Sequence, residues 1–218
     1  MPQYYIYPDY DAFYTKSDRP FINARNAPSS DSFSDGGGTL ISSLIDNGGG
    51  TFQFIRTYLL FDLSSITEPI TDIFLGLYVE SVTGRGDIVI AYGGTSLQQK
   101  EDDYPSYITS GEREWSARQP LTTEQYNEFY LDPNLKQYPN PSINPFLVIG
   151  VVTENDFDSV DIGGLTTIFT SSRGRDKPYL RIETSSASYT NTVMGVLSSS
   201  ISTVNGTNIS NISKINVI

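Results

Sequence analysis

FQFIRTYLLFDL, residues 52–63, decides how the rest of this chain is read. With a two-residue period, Phe52, Phe54, Arg56, Tyr58 and Leu60 share one face, while Ile55, Leu59, Phe61 and Leu63 share the other. Apolar side chains on both faces predict a central strand covered on both sides. Arg56 stands among them. Its guanidinium either pairs with a carboxylate at the sheet rim, with Asp62 a candidate, or carries its head out to solvent.

Strand patterns continue on either side. Residues 1–14 set Tyr5 and Tyr7, then Ala12 and Tyr14, around a break at Pro8-Asp9, which predicts two short strands about a turn. The stretch 15–35 reads as loop, and TLISSLID (39–46) as a strand between two glycine triplets. Residues 70–82 and 86–94 read as strands joined by a Gly-Arg-Gly turn. Residues 95–120 are polar and irregular around Trp115, and LTTEQYNEFYL (121–131) predicts one short helix with Thr122 or Thr123 as its N-cap. FLVIGVVTE (146–154), TTIFTSS (166–172) and PYLRIET (178–184) complete the set. Strands at this spacing predict an all-β fold, an antiparallel jelly-roll β-sandwich over 1–184.

Composition narrows the chemistry. The chain has 218 residues, no cysteine, no histidine and a net charge of −11 at pH 7. Thiolate metal sites, disulfides and Ser-His or Cys-His nucleophile pairs are thereby excluded. Fourteen scattered Lys and Arg against 25 Asp and Glu disfavour a nucleic-acid partner. No run of 18 apolar residues predicts a membrane span, and MPQYYIYPDYDAFY lacks the basic and apolar regions of a signal peptide. We therefore expect a non-enzymatic protein without a cofactor.

Some local clusters carry sharper alternatives. Glu112 and Glu114 beside Trp115 are either an acid pair for a glycosidic bond or a solvated loop. Asp156, Asp158 and Asp161 place carboxylates on one loop, which either holds a structural Ca²⁺ or is a turn kept soluble by its charges. Arg85-Gly86-Asp87 is either an adhesion signal or part of a strand turn. Asn205, Asn208 and Asn211 match the N-glycosylation pattern, which the Asn/Ser/Thr-rich composition also explains. Trp115, Tyr104, Tyr107 and Tyr126 are the candidate glycan-stacking residues. Tyr130 and Tyr138 are also rings that could stack on sugars, and all of these otherwise fill a core or a subunit interface.

Beyond Ser185 the composition shifts to Ser, Thr, Asn and single aliphatics, which sets a boundary between 1–184 and 185–218. Ile201, Val204, Ile209, Ile212, Ile215 and Ile218 recur about every third residue, a spacing that fits neither helix nor strand. It suits a three-sided β wrap, and a lone tail has too little apolar surface to offset its ordering entropy. The segment is therefore expected to be an extended assembly element, with a homo-oligomer, a trimer by preference, as the product.

The residues YDAFY (10–14), RTYLLFDLSSI (56–66), ITDIFLGLYVES (70–81) and FTSSRGRDKPYLRIET (169–184) resemble the DNRLRE-type domains, β-sandwiches similar to the carbohydrate-binding modules of polysaccharide-degrading bacteria. That resemblance implies an extracellular sandwich and glycans as partners. The single Trp departs from the pair that members often carry between 95 and 130. VNGTNISNISKIN (204–216) is similar to the ends of structural proteins of tailed bacteriophages. Together the two resemblances imply a virion protein made in the host cytoplasm without a signal peptide, partnered by itself, by other virion proteins and by host-surface glycans. The rival readings are a bacterial extracellular carbohydrate-binding or adhesin module and a polysaccharide-cleaving enzyme.

Overall fold

The computed structural model describes residues 2–35, 38–84, 87–94, 114–134, 140–161, 165–171, 174–185, 192–193, 196–197, 203–204 and 207–208. Eleven strands carry the fold: β1 (Gln3–Ile6), β2 (Tyr10–Asp18), β3 (Ser32–Asp35), β4 (Thr39–Asp46), β5 (Phe52–Asp62), β6 (Ile70–Gly84), β7 (Ile88–Gly94), β8 (Gln125–Tyr130), β9 (Phe146–Thr153), β10 (Leu165–Ser171) and β11 (Tyr179–Thr184). Two short helices, α1 (Phe21–Arg25) and α2 (Glu154–Phe157), interrupt them. All ladders are antiparallel, so the all-β expectation holds. They link every one of these strands into one sheet, in the order β1-β11-β6-β10-β4-β5-β2-β3, with β8 on β6 and β9 joining β5 to β7. One connected sheet, rather than two separate ones, is what the hydrogen bonds form.

The long strands β5 and β6 explain the shape. Each changes partner along its length: β5 pairs β4 through residues 52–55 and β9 through 57–62, while β6 pairs β11 at one end and β10 at the other. The two arms of the sheet thereby share one core. Leu59, Phe61 and Leu63 of the β5 run, Ile88 and Ile90 of β7 and Leu147, Ile149 and Val151 of β9 pack in one cluster with Ile73, Leu75, Leu77 and Val79 of β6, Phe129 of β8 and Leu180 and Ile182 of β11. The opposite face of β5, with Phe52, Phe54 and Tyr58, packs in a second cluster with Ala24, Ala27 and Phe157. The double-sided burial of residues 52–63 is thus observed.

A segment without a ladder of its own joins the arms. Glu114 bridges Ala91 of β7, and Ser116 bridges Leu131 just past β8. The Trp115 amide donates to the Ile90 carbonyl at 2.8 Å, and the Trp115 carbonyl accepts from the Asp132 amide at 2.8 Å. Between these bonds the indole is wholly buried in the main core, edge-on to Tyr92 with ring centres 5.4 Å apart.

Arg56 is fully buried, and its partner is Asp156 rather than Asp62. Arg56 Nε and Nη2 donate to Asp156 Oδ2 and Oδ1 at 2.6 and 2.7 Å, and Nη2 also donates to the Arg25 carbonyl at 2.8 Å. Arg25, buried as well, donates to the carbonyls of Asp156 and Phe157 at 2.6 and 2.7 Å. Asp62 instead accepts from the Ser64 amide two residues on. The sheet centre is too far from solvent for the arginine to reach out, so a carboxylate comes in from α2.

Two further expectations change. Residues 121–131 form no helix but a turn leading into strand β8 (Gln125–Tyr130) and the bridge at Leu131: Asn127, Phe129 and Leu131 point inward while Tyr126, Glu128 and Tyr130 point outward. The stretch 15–35, read as loop, extends β2 to Asp18 and then forms α1 and β3. In the tail, Thr192–Val193 pairs with Val196–Leu197 and Thr203–Val204 with Thr207–Asn208, two small antiparallel ladders. Val204 lies in the second. Ile201, Ile209, Ile212, Ile215 and Ile218 lie outside the described residues.

Candidate functional site

The arm β1-β11-β6-β8 is buried on one face only, and alternation dictates what its other face shows. Register places Tyr5 opposite Arg181, Arg181 opposite Phe74, and Phe74 opposite Tyr130. These four side chains form one row across four strands. The neighbouring row runs through Tyr179, Gly76 and Glu128, and the next pairs Tyr78 with Tyr126.

Gly76 makes the face continuous. A Cβ there would lie 2.3 Å from Cζ of Tyr179, so the absence of a side chain lets the Tyr179 ring lie across β6 towards β8. Its hydroxyl reaches Glu128 Oε1 at 3.0 Å. The rings of Tyr5, Tyr179, Tyr126 and Tyr78 then touch in sequence, with centres 5.5, 5.2 and 5.5 Å apart, and Phe74 packs on Tyr130 at 5.2 Å. Such spacings are those of favourable tilted and edge contacts. Tyr5 and Tyr130 stay substantially open, at 54% and 41% exposure.

Polar groups fix the rings. Arg181 lies 3.8 Å above the Phe74 ring, donates from Nε and Nη2 to Glu128 at 3.2 and 3.0 Å, and donates from Nη1 to Glu183 at 2.7 Å. The Tyr126 hydroxyl donates to the carbonyls of Arg175 and Lys177 at 2.8 and 3.0 Å, and the Tyr130 hydroxyl donates to Asp72 at 3.1 Å. Lys177 caps the Tyr7 ring at 3.8 Å. The Arg181 guanidinium holds the Glu128 carboxyl below the usual carboxylate range, and Glu128 in turn raises Arg181. Burial, then the bond to Glu128, raises the Tyr179 hydroxyl. Beside this row lies a cleft of about 270 Å³ lined by Phe74, Ala117, Gln119, Glu128, Tyr130 and Asp132. It is smaller than the roughly 300–1,000 Å³ that encloses a drug-sized ligand, so it suits a single ring.

This face offers flat apolar surface with fixed donors and acceptors between. A carboxylate locked in its ionised form accepts hydrogen bonds well and donates protons poorly, so Glu128 is suited to holding hydroxyl groups.

The residues nominated from sequence are dispersed. Of the glycan-stacking candidates among the described residues, Tyr126 and Tyr130 lie on this face. Trp115 does not: it is wholly buried, because bridges on either side turn it into the core. Tyr104, Tyr107 and Tyr138 lie outside the described residues, as does Glu112. Glu114 is bound to Arg118, whose Nε lies 2.8 Å from Oε1. Arg118 also holds Glu154 at 2.9 Å and Asp158 at 2.6 Å, and these bonds keep the Asp158 carboxyl below its usual range. The Asp156, Asp158 and Asp161 loop has two of its carboxylates engaged by arginines. Asp156 is spent on Arg56 and Asp158 on Arg118, and no group of three or more carboxylates able to hold a metal occurs among the described residues. Tyr5, Phe74, Tyr179, Arg181 and Glu128 were missed as site residues. The signal that points to them is alternation in β11 and β8, where polar-looking positions 179, 181, 126, 128 and 130 share one side. No protein-family model matches this chain, and no curated protein matches it either.

Proposed function

We propose that this protein is a non-enzymatic structural component of a tailed-bacteriophage virion, a capsid decoration or a head-fibre, neck or tail appendage. Residues 1–184 form a sandwich-like module with a lectin-like face, and residues 185–218 attach or multimerise it. The observation that carries the reading is the β1-β11-β6-β8 face, where six aromatic side chains, Tyr5, Phe74, Tyr78, Tyr126, Tyr130 and Tyr179, stand opposite a core face on one arm of the sheet. Rings presented on a rigid sheet and held by their own hydroxyls bind flat partners at little ordering cost. Three of the carboxylates singled out for catalysis or metal binding, Glu114, Asp156 and Asp158, are instead occupied by arginines. The two short ladders in the tail suit a segment that completes its β structure against other chains.

Light scattering after size exclusion tests the assembly half, on the full chain beside a chain ending at Ser185. A defined oligomer, a trimer by preference, is expected for the full chain and a folded monomer for the shorter one. Two monomers would overturn self-assembly and favour the second reading, a bacterial extracellular carbohydrate-binding or adhesin module, which the same aromatic face supports. Retention of the full chain on immobilised host-surface polysaccharide tests the display half.

A further inference from the structure

Granted a glycan-binding face, its geometry and charge say more about the ligand. Tyr5, Arg181, Phe74 and Tyr130 occupy one cross-strand row. From β1 to β8 this row spans three interstrand spacings, about 14 Å, the length of about two or three linked sugar rings. Its two ends are its most open rings; between them Arg181 lies over the Phe74 ring, with Glu128 and the Tyr179 hydroxyl alongside. The cleft between Phe74, Tyr130, Gln119 and Asp132 lies at the β8 end.

Charge then selects within the glycans. Arg181 is already matched by two carboxylates, Glu128 and Glu183. Asp72 accepts from Tyr130, and Asp132 adds a further carboxylate to the cleft. Lys177 is turned onto the Tyr7 ring. An acidic sugar would meet this carboxylate excess on a chain of net charge −11, and binding it would require breaking the Arg181–Glu128 pair. Neutral hydroxyls face no such cost, because Arg181 and Glu128 donate to and accept from them in place.

We infer that the Tyr5–Arg181–Phe74–Tyr130 row is a subsite row for a linear neutral oligosaccharide lying across the strands, with one ring stacked on Tyr5, one on Tyr130 and its end ring in the cleft. This rests on the display reading above and fixes which sugars that face takes.

The test is calorimetric titration of the full chain with neutral gluco- and manno-oligosaccharides of increasing length and with uronic-acid oligosaccharides of matching length. The Y5A and Y130A variants remove open rings and leave the core intact. Affinity for a neutral chain is expected to rise from one sugar to about four or five and then level off. It should change less than about twofold between low and high salt, since there is no ligand charge to screen. Each variant should weaken it at least about threefold, and the two together about tenfold. Tighter binding of the uronic-acid chains, or steep salt dependence, would overturn the neutral assignment while leaving glycan binding in place. Neutral binding that Y5A and Y130A do not alter would overturn the row. Failure of every sugar to bind, with circular dichroism showing a folded chain, would overturn the display reading itself; loss of oligomerisation in Y5A or Y130A would then mark the face as a contact between copies.

Discussion

Truncating Asp156 to alanine removes the anion at the centre of the sheet without touching an apolar side chain. Arg56 is 0% exposed and Arg25 5%, and the Asp156 carboxylate is the counter-ion nearest both, 2.6 Å from the first and 3.7 Å from the second. Without it, Arg56 keeps the Arg25 carbonyl and Arg25 keeps the carbonyls of Asp156 and Phe157, but two buried positive charges lose their shared anion. Removing one partner of a buried pair costs about 3–5 kcal/mol, a large share of the roughly 5–15 kcal/mol that holds a typical domain. At about 2–4 °C per kcal/mol for a chain of this size, Tm should fall by roughly 6–20 °C. Trp115, the sole and fully buried tryptophan, reports unfolding in urea by its fluorescence. The double variant R56M/D156L removes the closer of the two charges together with the anion, leaves Arg25 on the carbonyls of residues 156 and 157, and should regain about half the loss, because well-packed apolar replacements of a buried pair are often neutral. A D156A midpoint corresponding to a loss of less than about 1 kcal/mol, at unchanged urea dependence, would refute the argument that this carboxylate neutralises the sheet centre.

Trp115→Ala should cost about 3–5 kcal/mol as a large-to-small core change, read by circular dichroism melting; a loss below about 1 kcal/mol would mean the indole does not fill the core. Gly76→Ala should leave Tm nearly unchanged, since the Tyr179 ring can swing aside, yet reduce sugar affinity by breaking the Tyr179–Glu128 contact. Asp158 and Glu128 have carboxyls depressed by Arg118 and Arg181. Their stabilisation is present above the unfolded carboxylate range near pH 4 and is lost as pH falls through the lower folded values. Melting curves from pH 6 to 2 should steepen below about pH 4, and R118M should flatten part of that limb. Burial and the nearby Glu154 raise Asp87, so D87N should gain a few tenths of a kcal/mol at pH 7, measured by urea denaturation.

The sheet was legible where strands are apolar on a regular beat, as in residues 52–63, 70–82 and 146–154. It was obscured in 121–131 because Tyr126, Phe129 and Tyr130 fall at helical spacing, while the inward face of β8 begins with the polar Asn127. That amide is pinned by the loop before it: Asn127 Nδ2 donates to the Thr122 carbonyl at 2.8 Å, and Oδ1 accepts from the Thr122 amide at 2.9 Å. The partner of Arg56 lies 100 residues away in α2, a distance no local pattern spans. Trp115 reads as an exposed ring because Glu114 and Arg118 surround it in sequence, and only the bridges to Ala91 and Leu131 turn it inward. Much of the aromatic face was hidden for a related reason: Tyr179 and Phe74 are site residues by virtue of which way their strands face, and register sets that.

The strand bearing Tyr179 and Arg181 is also the one that runs into the tail, Thr184 being its last residue and Ser185 donating from its amide to the Pro69 carbonyl at 2.9 Å. β11 is clasped on both sides, by β1 and by β6. A tug on the tail, directed along this strand, pulls on both ladders at once, so their hydrogen bonds share the load instead of opening one after another. For a module tethered at one end and held by its face at the other, grip and tether meet on a single strand, and tension passes between them without crossing the core.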